Sequence, residues 1–168
     1  MANAFDIEGL DDVIARLRRL PKEVSQKRGG PVRAGLRKGG NIIRKRAREN
    51  VRRITDTPNI GGWDNSTGRL EKSIAVVRGK TSIYKSEERI FVLVPKRVRY
   101  PINKRTPTGI GVATIGRMLE YGTERSHGKR HRWMGPAYNA ERENALATII
   151  RETLAGIDKL EKQMGSGR

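Results

Sequence analysis

The chain has no cysteine. A disulfide framework and a thiolate metal site are therefore excluded, and a reducing compartment fits the composition. Aromatic residues make up only 5%, too few for a platform on which bases stack. No apolar run approaches the roughly 18 residues that a membrane-spanning helix needs. Acids are scarce beside bases: 18 Asp and Glu stand against 36 Lys and Arg, a formal net charge of +18. The opening stretch MANAFDIEGLDD is acidic. It lacks the basic-then-apolar order of a signal peptide, so a mature chain made in the cytosol is expected.

What is present is mostly positive charge on a chain of 168 residues. That length favours one domain, spanning 1–168, with a core large enough to need no staples. An excess of +18 repels itself in isolation and implies an acidic partner. Nucleic acid and an acidic protein surface are the candidates, with a membrane the weaker choice.

Hydrophobic spacing organises the chain. Leu10, Val13, Ile14 and Leu17 fall on one face of a helix. Asp11 and Asp12 near its start and Arg16, Arg18 and Arg19 near its end suit the helix dipole. Pro21 stops it. After the breaker Lys27-Arg-Gly-Gly-Pro31, a basic amphipathic helix is predicted from Val32 to about Ile54, with Leu36, Gly40, Ile43, Ala47 and Val51 as its stripe. Gly39-Gly40 in its middle costs about 1 kcal/mol per Gly relative to Ala, so either another backbone packs closely there or the helix bends.

Residues 55–67 read as a loop. Leu70–Val77 leads into a strand. Arg89–Pro95 (RIFVLVP) is the clearest strand, and its two apolar faces predict a central position. Residues 79–88 would join the two as an irregular hairpin. Lys96–Gly111 reads as a mobile basic loop. Ala113–Tyr121 is a short helix stopped at Gly122. A second mobile basic loop spans 124–135, and Pro136 opens a last helix running to about Met164. Residues 1–30 form an N-terminal arm and helix, and 165–168 fray.

Catalytic readings find little support. His127 and His131 stand at zinc-binding spacing, but Lys129, Arg130 and Arg132 among them repel a cation. Glu87-Glu88 and Asp11-Asp12 lie in turn or helix-start contexts and read as solvated carboxylates. Gly61-Gly62 and Gly109-Ile-Gly111 lack the lysine and flanks of a phosphate loop. No metal, no cofactor and no enzymatic activity are expected.

Several segments together carry a resemblance. They are Ile7-Glu-Gly-Leu10, the helix Leu36–Val51, Ser66-Thr-Gly-Arg-Leu70 with Lys72-Ser-Ile74, Leu119-Glu-Tyr-Gly-Thr123, and Met134-Gly-Pro-Ala137. In this order the chain resembles the tail-component family of tailed bacteriophages typified by the gene-ten product of an HK-type lambdoid phage, over nearly its whole length. Two departures stand out. Trp133-Met134 replaces the usual Pro-Phe pair before the final Pro-Ala, and the stretch Tyr100–Gly116 is longer than usual.

The resemblance implies an α+β fold, with a small antiparallel sheet packed by two long helices plus an N-terminal helix and basic loops. It implies a structural virion protein of the neck, in head–tail joining or tail completion, assembled in the host cytoplasm. Its partners would be its own copies in a ring (six as first choice, twelve as second), the head connector or stopper, and the tail terminator or tube. Genomic DNA would pass through the ring without sequence preference, and no membrane is involved. Composition alone would instead suggest a sequence-independent nucleic-acid-binding protein of ribosome- or nucleoid-associated type.

Candidate contacts to DNA or acidic partners are Arg37, Arg44, Lys45, Arg48 and Arg52 on the long helix, and Lys96, Arg97, Arg99, Lys129, Arg130 and Arg132 in the loops. Glu120, Tyr121 and Trp133 are candidates for a subunit interface; the alternative for Glu120 is a cap on its own surroundings, and for Tyr121 and Trp133 core positions within the chain.

Overall fold

The computed structural model describes residues 9–19, 30–56, 68–79, 88–100, 109–123 and 130–165. Five helices occur among them: α1 (Leu10–Arg19), α2 (Gly30–Asp56), α3 (Arg69–Ser73), α4 (Val112–Tyr121) and α5 (Met134–Gly165). Strands β1 (Ala75–Arg78) and β2 (Ile90–Leu93) form a two-stranded antiparallel sheet. The fold is therefore α+β and mostly helical, as expected. The described residues divide into two compact units. One holds 1–39, 78–90 and 144–168, and the other holds 40–77 and 91–143.

The first unit packs α1 and the start of α2 on the last part of α5. Asp11 and Asp12 occupy the first turn of α1, next to the helix's positive end. Val13 is buried, and Arg16 pairs with Asp158 and Glu161 of α5. Both carboxylates hold the Arg16 guanidinium well above its ordinary pKa.

Two of the glycines of α2 in this unit, Gly35 and Gly39, explain the close packing. A Cβ on Gly35 would lie 2.7 Å from the Ile149 carbonyl oxygen, and one on Gly39 would lie 2.9 Å from that of Ala145. Of the two explanations for glycine in this helix, close backbone approach is the one observed. Absence of a side chain lets the helices meet at distances that any other residue would prevent.

The second unit has its own core of Ala47, Val51, Leu70, Ile74, Val112, Trp133 and Ala137. Val92, Val94, Val98, Tyr100, Leu119 and Met134 pack against it. Leu70 enters this core from α3 rather than from a strand. Gly68 (φ 62°, ψ 6°) is left-handed and starts that helical turn, so the strand begins later than the apolar run suggested.

The Gly79 N–H donates to the Arg89 carbonyl at 2.7 Å, which sets the sheet register and places Val77 opposite Phe91. Val92 and Val94 pack against the core, while Phe91 is 48% and Val77 37% exposed on the other face. The expectation of a central β2 is thus corrected: among the described residues it pairs with β1 alone. Its second apolar face is surface, not interior.

Residues 96–111 are tied at both ends. Arg99 and Gly111 form an isolated antiparallel bridge, the Tyr100 N–H donates to the Ile110 carbonyl at 2.9 Å, and the Val112 N–H to the Val98 carbonyl at 2.9 Å. The ends of this stretch are therefore not a free loop. Residues 101–108 lie outside the described residues, as do 57–67 of the loop expected at 55–67 and 80–87 of the hairpin expected at 79–88; Thr55 and Asp56 belong to α2 instead.

Candidate functional site

The segment Leu119-Glu-Tyr-Gly-Thr123 closes α4 and faces the start of α5, all within the second unit. Gly122 (φ 79°, ψ 173°) ends the helix, and its N–H donates to the Met118 carbonyl at 2.8 Å. Its φ is positive, as glycine favours, but its ψ is extended rather than that of the left-handed well.

Glu120 organises the entry to α5. Its carboxylate accepts the backbone N–H groups of Trp133 and Met134, both at 2.8 Å, and of Gly135 at 3.0 Å. These are orphan donors at the N-terminus of a 32-residue helix. Arg132 and Trp133 offer no capping side chain, so an acid from the preceding helix takes that role and meets the positive helix end.

Three more bonds pin the same place. The Trp133 indole N–H donates to the Gly116 carbonyl at 2.8 Å, Asn50 Nδ2 donates to the Trp133 carbonyl at 3.0 Å, and the His131 N–H to the Leu119 carbonyl at 2.8 Å. The stretch 124–129, with His127 and Lys129, lies outside the described residues. Trp133 is buried in the core of this unit and Tyr121 is 70% exposed, so the two aromatic candidates have opposite environments. Arg130, His131 and Arg132 are exposed at the base of the loop.

The candidate cations divide into two groups. Arg37, Arg44, Lys45, Arg48 and Arg52 share a sector of about 100° on α2. Of these, Arg48 Nη2 donates to the carbonyls of Lys72 at 3.2 Å and Ile74 at 2.9 Å, and Arg52 pairs with Glu71 at 2.5 Å. These two arginines hold the C-terminal end of α3, where carbonyls lack helical partners. Arg44 is half-buried, whereas Arg37 and Lys45 are exposed. Lys96 and Arg97 are exposed at a turn, and Arg99 is exposed while its carbonyl accepts from Arg69 at 2.6 Å.

Sequence reasoning missed a groove of about 660 Å³ between β2 and α4. Val92, Leu93 and Val94 form one wall; Ala113, Gly116, Tyr121, Trp133 and Met134 line much of the rest, with Lys96 and Arg117 at the rim. Arg117 could have been found: it stands one helical turn before Tyr121 on the same face. Among the described residues no group of three or more His, Asp or Glu could hold a metal, and no helix is long and apolar enough to cross a membrane.

The chain matches the family described as "Bacteriophage HK97-gp10, putative tail-component" over residues 11–122, well over half its length. The chain belongs to this family of phage tail components. Among curated proteins and solved structures, none matches it. The match includes the Leu36–Val51 helix, the Ser66–Leu70 and Lys72–Ile74 segments and Leu119–Gly122. It leaves out the Ile7-Glu-Gly-Leu10 and Met134-Gly-Pro-Ala137 segments, so the shown kinship is narrower than the whole chain. Membership makes the protein a component of a virion and a structural part, with other virion proteins as its partners.

Proposed function

We propose that this protein joins head to tail as a ring in the phage neck, between the head connector and the tail tube. Membership of the tail-component family carries the reading. Six copies matching the symmetry of the tail would form a closed, heterologous interface, one face of each copy meeting a different face of the next. Such an interface needs exposed apolar side chains, and Phe91, Met118, Tyr121 and Tyr138 supply them.

The charge has a place in this reading. Six copies at +18 each surround the DNA path with cations. Exposed Arg37 and Lys45 on α2, with Lys96, Arg97, Arg130 and Arg132, would touch phosphates without reading bases. Such contacts restrain the DNA end yet release it at ejection. Arg48 and Arg52 serve the fold of the subunit instead.

The experiment is imaging of the purified protein and its complexes. Rings with sixfold symmetry that bind to tails or to filled heads support the proposal. A protein that stays monomeric with both, or that binds DNA tightly and ignores virion parts, contradicts it.

A further inference from the structure

Among the described residues, β1 pairs with one edge of β2 and no strand pairs with the other, which borders the groove beside α4. The register fixed at Gly79 and Arg89 turns the N–H and C=O of Val92 away from β1. That unpaired edge runs along walls made mostly of apolar side chains, with exposed Lys96 and Arg117 at the rim and Tyr121 standing 70% exposed. An edge of this kind is a template for one more strand, and side chains of alternate residues would enter the groove.

The sequence contains one segment with matching chemistry. In a chain of net charge +18, residues 1–15 hold four acids and no Lys or Arg. Within them Ala4-Phe5-Asp6-Ile7-Glu8 alternates apolar and acidic residues. In a strand, Phe5 and Ile7 would share one face and Asp6 and Glu8 the other. This segment precedes α1, whose start is anchored where a Cβ on Gly9 would lie 3.4 Å from Ile150 Cγ2. Its five residues span up to about 17 Å when extended, at roughly 3.3 Å per residue.

We propose that residues 4–8 of one copy add as a strand to β2 of a second copy, with Phe5 and Ile7 in the groove and Asp6 and Glu8 toward Lys96 and Arg117. The arm would fasten each subunit to the next. This rests on the reading that copies of the chain assemble with one another, not on where in the virion they do so.

Absence of native cysteine makes the test direct. Full-length Ile7→Cys is mixed with full-length Leu93→Cys or Tyr121→Cys, oxidised with diamide, and resolved on a non-reducing gel. Ile7→Cys mixed with Met164→Cys is the control. Docking raises the effective concentration of the paired thiols, so at least about tenfold more mixed dimer than in the control is expected. Adding Phe5→Asp to the Ile7→Cys chain should abolish the excess without disturbing α1, because residue 5 precedes that helix.

Equal cross-linking in all pairs overturns the proposal. So does its absence, whether light scattering finds oligomers or monomers. Oligomers without the cross-link would remove the arm and leave the ring reading standing. The cross-link in a protein that never binds heads or tails would do the reverse.

Discussion

The Glu120 carboxylate accepts the backbone N–H of Trp133, thirteen residues beyond it, at 2.8 Å and caps the helix that begins at the next residue, Met134. With Met134 and Gly135 bound to the same carboxylate, replacing Glu120 by Ala leaves three helix-end donors without their acceptor. Loss of a cap costs about 0.5–2 kcal/mol. Chemical denaturation of Glu120→Ala should show a loss in that range, and Glu120→Gln a smaller one. In a Trp63→Phe background, Trp133 emission should shift to the red in the alanine variant.

Trp133 adds a second dependence at the same place. Its indole N–H satisfies the buried Gly116 carbonyl. Trp133→Phe keeps an aromatic ring but loses this bond and leaves the Gly116 carbonyl only its partner within α4, at a cost of about 0.5–1.5 kcal/mol. The expected readout is a lower denaturation midpoint with an unchanged slope, because the residual fold stays intact.

Gly39 offers a test of sign. Gly→Ala on an open helix face stabilises by about 1 kcal/mol. Here the new Cβ would lie 2.5 Å from Ile149 Cγ1 and 2.9 Å from the Ala145 carbonyl oxygen. Overpacking of this kind costs about 1–3 kcal/mol, so Gly39→Ala should lower the melting temperature. A rise would show that α2 and α5 are not held at this separation.

How legible was this in the sequence? The four longer helices were, because their apolar stripes repeat at helical spacing and Gly122 and Pro136 mark ends, whereas the short α3 was read as the approach to a strand. Gly39-Gly40 announced close packing or a bend, and the structure chose packing. The position of β2 was not legible: exposed Phe91 looks the same in sequence as a buried one. The partners of Glu120 were hidden for a different reason. They are backbone groups of residues 133–135, which no side-chain pattern reveals, although the missing cap at Arg132-Trp133 was a usable hint. Arg48 and Arg52 illustrate the limit for charge. Their place in a basic run could not tell contacts with carbonyls and Glu71 from contacts with phosphate.

That division of the cations predicts two kinds of variant. Arg37→Glu with Lys45→Glu should leave stability nearly unchanged and weaken DNA binding alike for all sequences. Each lost phosphate contact should lower the slope of log K against log salt by roughly 0.9. Arg48→Ala should do the opposite: it frees the Lys72 and Ile74 carbonyls, at a cost of about 1.5–3 kcal/mol for a charged donor. Fluorescence anisotropy over a salt series, paired with denaturation curves, separates the two.

Stability should also carry a small acid-side dependence at Glu152. The hydrogen bond from Lys38 holds its carboxyl below the ordinary glutamate value. A folded-state pKa below the unfolded one means that the unfolded chain binds the proton first. The pair's contribution is therefore present at neutral pH and lost as pH falls through the carboxylate range. Glu152→Gln should flatten that part of a melting-temperature profile and leave the alkaline side unchanged.

The most direct test of the joining role is electron microscopy of phage particles made without this protein. Filled heads and completed tails should lie apart, and should join when the purified protein is added. Normally tailed particles in its absence would contradict the joining role.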